Sequence, residues 1–176
     1  MGSYGKCVGL VVVGMCLTRA LTGCPGASWV AAGHYEGTLL MDTAYGEEGT
    51  TCGVAITLVQ HRTTLLGTVQ FGPRCFLPNE LIDILGLDAF VLPVRGTWGS
   101  FGRLNLVFDP DRAAGEGLDF GCDLTLEGVG YDADEDDLVD YLTGEFTAEF
   151  FFEGVPDLGD VRIRPGGTFE AERAAD

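Results

Sequence analysis

The chain has 176 residues and carries 27 acidic against ten basic side chains, a formal charge of −17 at pH 7. That balance argues against nucleic acid as a partner, because neutralising phosphates takes clustered cations, and against electrostatic attachment to anionic lipid head groups. The acids read as a solvated surface.

The first segment is a leader. MGSYGK carries Lys6 as its only charge, and the twelve residues CVGLVVVGMCLT that follow are uncharged and mostly apolar. A helix across the hydrocarbon core takes about 20 apolar residues, so this run is too short to span. An amphipathic core helix needs a polar face, which VGLVVVGMCL lacks. A basic start, a short apolar centre and small residues before a cut describe an export signal.

Leu21-Thr22-Gly23-Cys24 resembles the lipobox of bacterial lipoprotein signal peptides: an aliphatic residue, two small residues and a cysteine. The resemblance implies that the Cys24 sulfur carries diacylglycerol, that the chain is cut between Gly23 and Cys24, and that residues 1–23 are discarded. Arg19 departs from the pattern by charging the end of the apolar segment. A cut after Val30-Ala31-Ala32 is the alternative, and it would release a soluble protein. One acyl chain alone binds a membrane reversibly, at about 0.8 kcal/mol per buried methylene, whereas two or three hold a domain at the surface. Pro25, in place of the aspartate that retains many such proteins at the inner membrane, favours the outer membrane or cell surface.

Residues 24–32 then form a tether and 33–176 a single domain, which keeps eight arginines and no lysine. Cys52, Cys75 and Cys122 stay with it. In an oxidising compartment one disulfide plus one buried thiol is the expected outcome. The sequence leaves the pairing open; Cys52 with Cys75 encloses the shortest loop, and Cys122 is then a small core residue.

Beyond the tether the dominant pattern has period two. In LDFGCDLTLE (118–127), Leu118, Phe120, Cys122, Leu124 and Leu126 alternate with polar or small residues. In GEFTAEFFFE, Phe146, Ala148, Phe150 and Phe152 share one face and Phe151 breaks the pattern. Similar alternation runs through 34–42, 52–60, 64–71, 89–98, 101–108, 160–164 and 167–173, separated by Gly- and Pro-rich turns. About nine strands without crossover helices predict an all-β fold, an antiparallel β-sandwich or closed β-barrel. Only 79–86, with Asn79 as N-cap and Gly86 as stop, and 134–142 have room for a helical turn. Gly-Thr recurs in YEGTLL, LLGTVQF, VRGTWG and PGGTFEAE, at spacings too uneven for a solenoid, and reads as exposed Gly and Thr where twisted strands begin.

Catalytic chemistry finds little footing. TWGSFG lacks the glycine two residues before Ser100 that a nucleophile elbow needs, and a hairpin tip accounts for it. Ser28 is the only other serine after the leader, so a catalytic triad has no candidates. His34 and His61 have no partners at zinc-ligand spacing. Carboxylates are too abundant to single out a glycosidase pair. Asp132, Asp134 and Asp136 alternate as calcium ligands do, but an EF-hand starting at Asp132 would need glycine where Asp137 stands and glutamate where Thr143 stands. A looser calcium loop is the weak alternative there; no other metal site and no cofactor are expected.

Tyr35, Trp98, Phe101, Phe108, Phe120, Phe146, Phe150 and Phe152 either fill the interior or line a cavity, and a domain of this size needs such rings to fill it. GTW at 96–98 is similar to the Gly-x-Trp of lipocalins, although in that family the motif opens the first strand. The expected function is a lipid-anchored, non-catalytic envelope protein that binds a partner or plays a structural role. The alternative is a lipocalin-like carrier of a small apolar ligand.

Overall fold

Alternation makes each strand amphipathic, because successive side chains point to opposite faces. In β2 (Thr51–His61), Cys52, Val54, Ile56 and Leu58 are buried while Thr51, Gly53, Thr57 and Val59 are exposed. A sheet with one apolar face must cover it, and here it does so by closing on itself. The computed structural model describes residues 29–43, 51–77, 79–86, 88–116 and 121–175. The leader, Cys24 and Phe120 lie outside these residues.

The described residues form nine strands: β1 (Gly33–Thr43), β2, β3 (Thr64–Phe71), β4 (Phe90–Trp98), β5 (Arg103–Phe108), β6 (Gly121–Tyr131), β7 (Tyr141–Val155), β8 (Gly159–Ile163) and β9 (Gly166–Arg173). Neighbours run β6-β5-β4-β3-β2-β1-β9-β7-β8, and β6 also pairs with β7, which closes eight strands into an antiparallel barrel. The open choice between sandwich and barrel thus resolves as a barrel with one additional strand. Long β7 pairs with β9 from Tyr141 to Thr147 and with β8 from Phe150 onward. Pro165 separates β8 from β9, since proline cannot donate to the ladder; its carbonyl still accepts the Ala148 amide at 2.9 Å.

The recurring Gly-Thr pairs have a structural reason. Gly37, Gly67 and Gly96 sit within strands, on the same phase as buried neighbours, and Gly167 is the second residue of β9. A Cβ at any of the four would overlap a carbonyl oxygen of the adjacent strand, that of Glu170, Thr57, Asn105 and Leu40 respectively. Gly128 and Gly144, paired across β6 and β7, are equally crowded. These are the points where the sheet coils tightly enough to close, rather than merely the starts of strands.

Among the described residues, two short α-helices mark one end. α1 (Asn79–Leu85) stops at Gly86, whose φ is +63° and whose amide returns to the Ile82 carbonyl at 2.8 Å. Asn79 is itself helical, so the expected cap is the first residue of the helix. α2 (Pro110–Glu116) occupies a stretch expected to be a turn. Pro110 is pre-set for a first helical position, and buried Asp109 precedes it, with its carbonyl accepting Ala113 N at 3.0 Å. Beneath the helices Phe71, Phe76, Phe90, Phe146 and Phe150 pack ring against ring, with centroids from 4.6 to 6.3 Å apart.

The opposite end, here the strap end, is crossed by residues 29–32. Val30 N donates to the Asp137 carbonyl at 2.8 Å, and Val139 N donates to Val30 O at 3.1 Å. The stretch 134–142, one of the two with room for a helical turn, forms none. Glu135 and Asp137 have φ of +67° and +68°, which a right-handed helix excludes. Phe101 also departs from expectation: it is not in the interior but 80% exposed.

Candidate functional site

The strap end gathers most of the chemistry. Tyr35, on the inward phase of β1, brings a hydroxyl into an apolar interior, where it needs partners. It shares its proton between Ala31 O and Val139 O, each at 3.1 Å, and accepts from Arg173 Nη2 at 3.0 Å. Burial pushes its pKa up to about 12, with Arg173 opposing and Asp140 reinforcing the rise. Arg173 also donates to Val139 O at 2.8 Å, Ala32 O at 2.9 Å and Val30 O at 3.2 Å. One guanidinium therefore ties together the strap, the β6–β7 loop and the barrel.

The acidic loop lies beside this clasp. Asp132 accepts the amides of Glu135, Asp136 and Asp137 at 2.7, 3.2 and 3.0 Å, and Asp136 accepts that of Leu138 at 2.8 Å. Carboxylate oxygens of Asp132, Asp134 and Asp136 lie within 4.8 Å of one another. Desolvation, then the charges of Asp136 and Asp140, push the Asp134 carboxyl up. The three residues singled out in the sequence do converge, and Asp137 adopts the left-handed conformation that glycine supplies in an EF-hand.

Elsewhere the predicted residues scatter. His34 is exposed and contacts Thr57 Oγ1 at 2.9 Å and Glu36 at 3.4 Å; His61 is exposed at the β2–β3 turn. Ser100 lies in a one-turn 3-10 segment, Ser100–Gly102. Cys52 and Cys75 are buried free thiols in contact, and Cys122 is a half-buried one. Burial first, and Cys52 second, push the Cys75 thiol up to about 12. Burial does the same to Cys122.

A surface cleft of about 340 Å³ opens at the β8–β9 break, lined by Asp123, Thr147, Glu149, Arg164 and Pro165 among others. Glu149 is held there by Arg162 at 3.1 Å and Arg164 at 3.0 Å. Sequence reading missed both this group and the Arg173 clasp. The inward phase of Tyr35, a polar tip with nowhere local to bond, was the one available sign of the clasp. Compared with known proteins, the chain matches no family model, no curated protein and no solved structure.

Proposed function

We propose that this chain is a lipid-anchored protein of the bacterial cell envelope, held through Cys24 at the outer membrane or cell surface. Its barrel is a non-catalytic binding or structural module that works through its outer surface. The observation that carries the second statement is the interior. Five phenylalanine rings in mutual contact occupy the helical end, and Tyr35 and Val139 are fully buried at the strap end. Such packing serves stability, because close contact between rings is lost if a ligand separates them. The anchor rests on Leu21-Thr22-Gly23-Cys24 and its short apolar leader.

A lipocalin-like carrier is the second reading, favoured by the strand number, since an eight-stranded barrel is wide enough for side chains or for one small ligand. Two measurements test the pair. Intact mass of membrane-extracted protein should show loss of residues 1–23 and added acyl chains, and Cys24→Ser should remain uncut and unacylated. A fluorescent fatty acid should show no saturable binding. Tight binding at one site per chain would establish the carrier instead.

A further inference from the structure

The strap end is also where exposed apolar side chains concentrate. Phe101 is 80% exposed, Tyr131 51%, Tyr141 43%, Val30 38% and Leu138 37%. They are neighbours in the fold. A Cβ on Gly102 would lie 3.2 Å from Trp29 Cζ3 and closer still to the Gly130 carbonyl, which puts Phe101 beside the strap and the end of β6. Tyr131 and Tyr141 face each other across β6 and β7, and Val30 bridges to Leu138. Phe101 holds a left-handed backbone, φ +62° and ψ +31°, next to Gly102 at φ +69°. That conformation disfavours a bulky residue, and folding gives no return for it, since the ring is not buried.

We propose that the strap end docks against the bilayer surface, seating Phe101 and the Tyr131–Tyr141 pair at the lipid interface. This rests on Cys24 being the anchor. Four residues, 25–28, separate Cys24 from Trp29, so five Cα-to-Cα steps let the tether reach at most about 18 Å. The strap end is therefore the end nearest the lipid, and the helical end lies roughly 25 Å beyond it, given the rise of tilted strands. Phenol and phenyl rings favour this boundary, where one side is apolar and the other wet. A rim of exposed rings around a polar loop is also the pattern of a surface that meets something. The same end carries Asp132, Asp134, Glu135, Asp136, Asp137 and Asp140, so the surface that fits is zwitterionic rather than anionic.

The test uses the acylated mature chain, residues 24–176, in phosphatidylcholine vesicles whose acyl chains are brominated. Two single variants are compared, Phe101→Trp at the strap end and Leu158→Trp at the exposed turn between β7 and β8; both retain Trp29 and Trp98 as a common background. Docking predicts several-fold stronger quenching for Phe101→Trp than for Leu158→Trp, together with protection of its added emission from aqueous acrylamide. Equal quenching of the two in a chain whose mass shows acylation overturns the docking and leaves the anchor standing. Protection from acrylamide without quenching by brominated chains also overturns it, because a second copy of the chain rather than lipid then covers Phe101. A chain recovered without added acyl mass overturns the anchor and the docking with it.

Discussion

The Arg173 guanidinium lies 5.1 Å from the centre of the Tyr35 ring and donates to the Tyr35 hydroxyl at 3.0 Å, from a position 138 residues away in the chain. Three further donations from Arg173 to backbone carbonyls make it the fastening of the strap end. Arg173→Met keeps the apolar stem and removes the donors. It is expected to cost about 3 kcal/mol, as charged hydrogen bonds at partly buried sites do. Urea unfolding of the two proteins measures the difference, and a cost below about 0.5 kcal/mol would mean the clasp follows the fold rather than holding it.

The clasp also sets a response to alkali. Tyr35 titrates near pH 10 unfolded but is raised to about 12 in the fold. A group whose folded pKa is raised contributes stability that is whole below its unfolded value and is lost as pH rises through the folded one. Stability should therefore decline between pH 10 and 12, and Tyr35→Phe should flatten part of that decline while lowering stability at pH 7. Thermal unfolding as a function of pH reads both.

The acidic loop is organised by one of its own carboxylates. Asp132→Ala removes the acceptor of three backbone amides and should destabilise the chain by about 1 kcal/mol, the scale of a lost capping interaction. Asp134→Asn should act oppositely at low ionic strength, because Asp134 accepts protons more readily in the fold than alone. Its charge opposes folding as pH rises through the folded pKa. Millimolar calcium should raise the melting temperature more than sodium chloride of equal ionic strength, with Asp134→Ala abolishing the excess. Equal effects of the two salts would reduce the loop to a screened cluster of charges.

Cys52 and Cys75 are placed to form the expected disulfide, though both are thiols in this structure. Oxidised glutathione would accept the two electrons, releasing two glutathione thiols as the protein disulfide forms. Closing a loop of about 23 residues should stabilise the chain by about 3 kcal/mol if no strain is introduced. The reaction should be slow at neutral pH and speed up in alkali, since Cys75 ionises only near 12. Peptide mapping that links Cys122 to either residue instead would refute this pairing.

Crowded glycines in the strands define the last prediction. Gly96→Ala drives a Cβ against the Asn105 carbonyl of β5. Relief requires the ladder to shift, at about 2 kcal/mol. Gly53→Ala in β2, where a Cβ meets nothing within 4 Å, is the control and should be near neutral. Circular dichroism melts compare them.

Much of this architecture was legible from the chain because period two reports directly on which side faces inward. Phe146, Ala148, Phe150 and Phe152 are all buried, as their alternation requires, and Phe151 breaks phase to lie half-buried beneath Arg162. What alternation cannot report is closure, since sandwich and barrel strands carry the same pattern; the distinguishing sign was the recurring glycine, read as a strand start rather than a bend. The acidic run is helix-compatible by spacing alone, because spacing takes no account of Asp132 capturing three amides. Residue type alone places Phe101 with the core rings, whereas its position beside a hairpin tip exposes it. The clasp was hidden for a simpler reason, as no local pattern joins residue 35 to residue 173.

Among the described strand ladders, only β1–β9 joins distant parts of the chain, since each other ladder joins strands adjacent in sequence or separated only by β8. Loop-closure entropy makes such a contact slow to gain. The meander from β1 to β7 should assemble from local hairpins first, leaving a curled open sheet whose free edges meet last. Opening should begin at the same seam, so the lifetime of the native state hangs on how firmly β9 is zipped to β1.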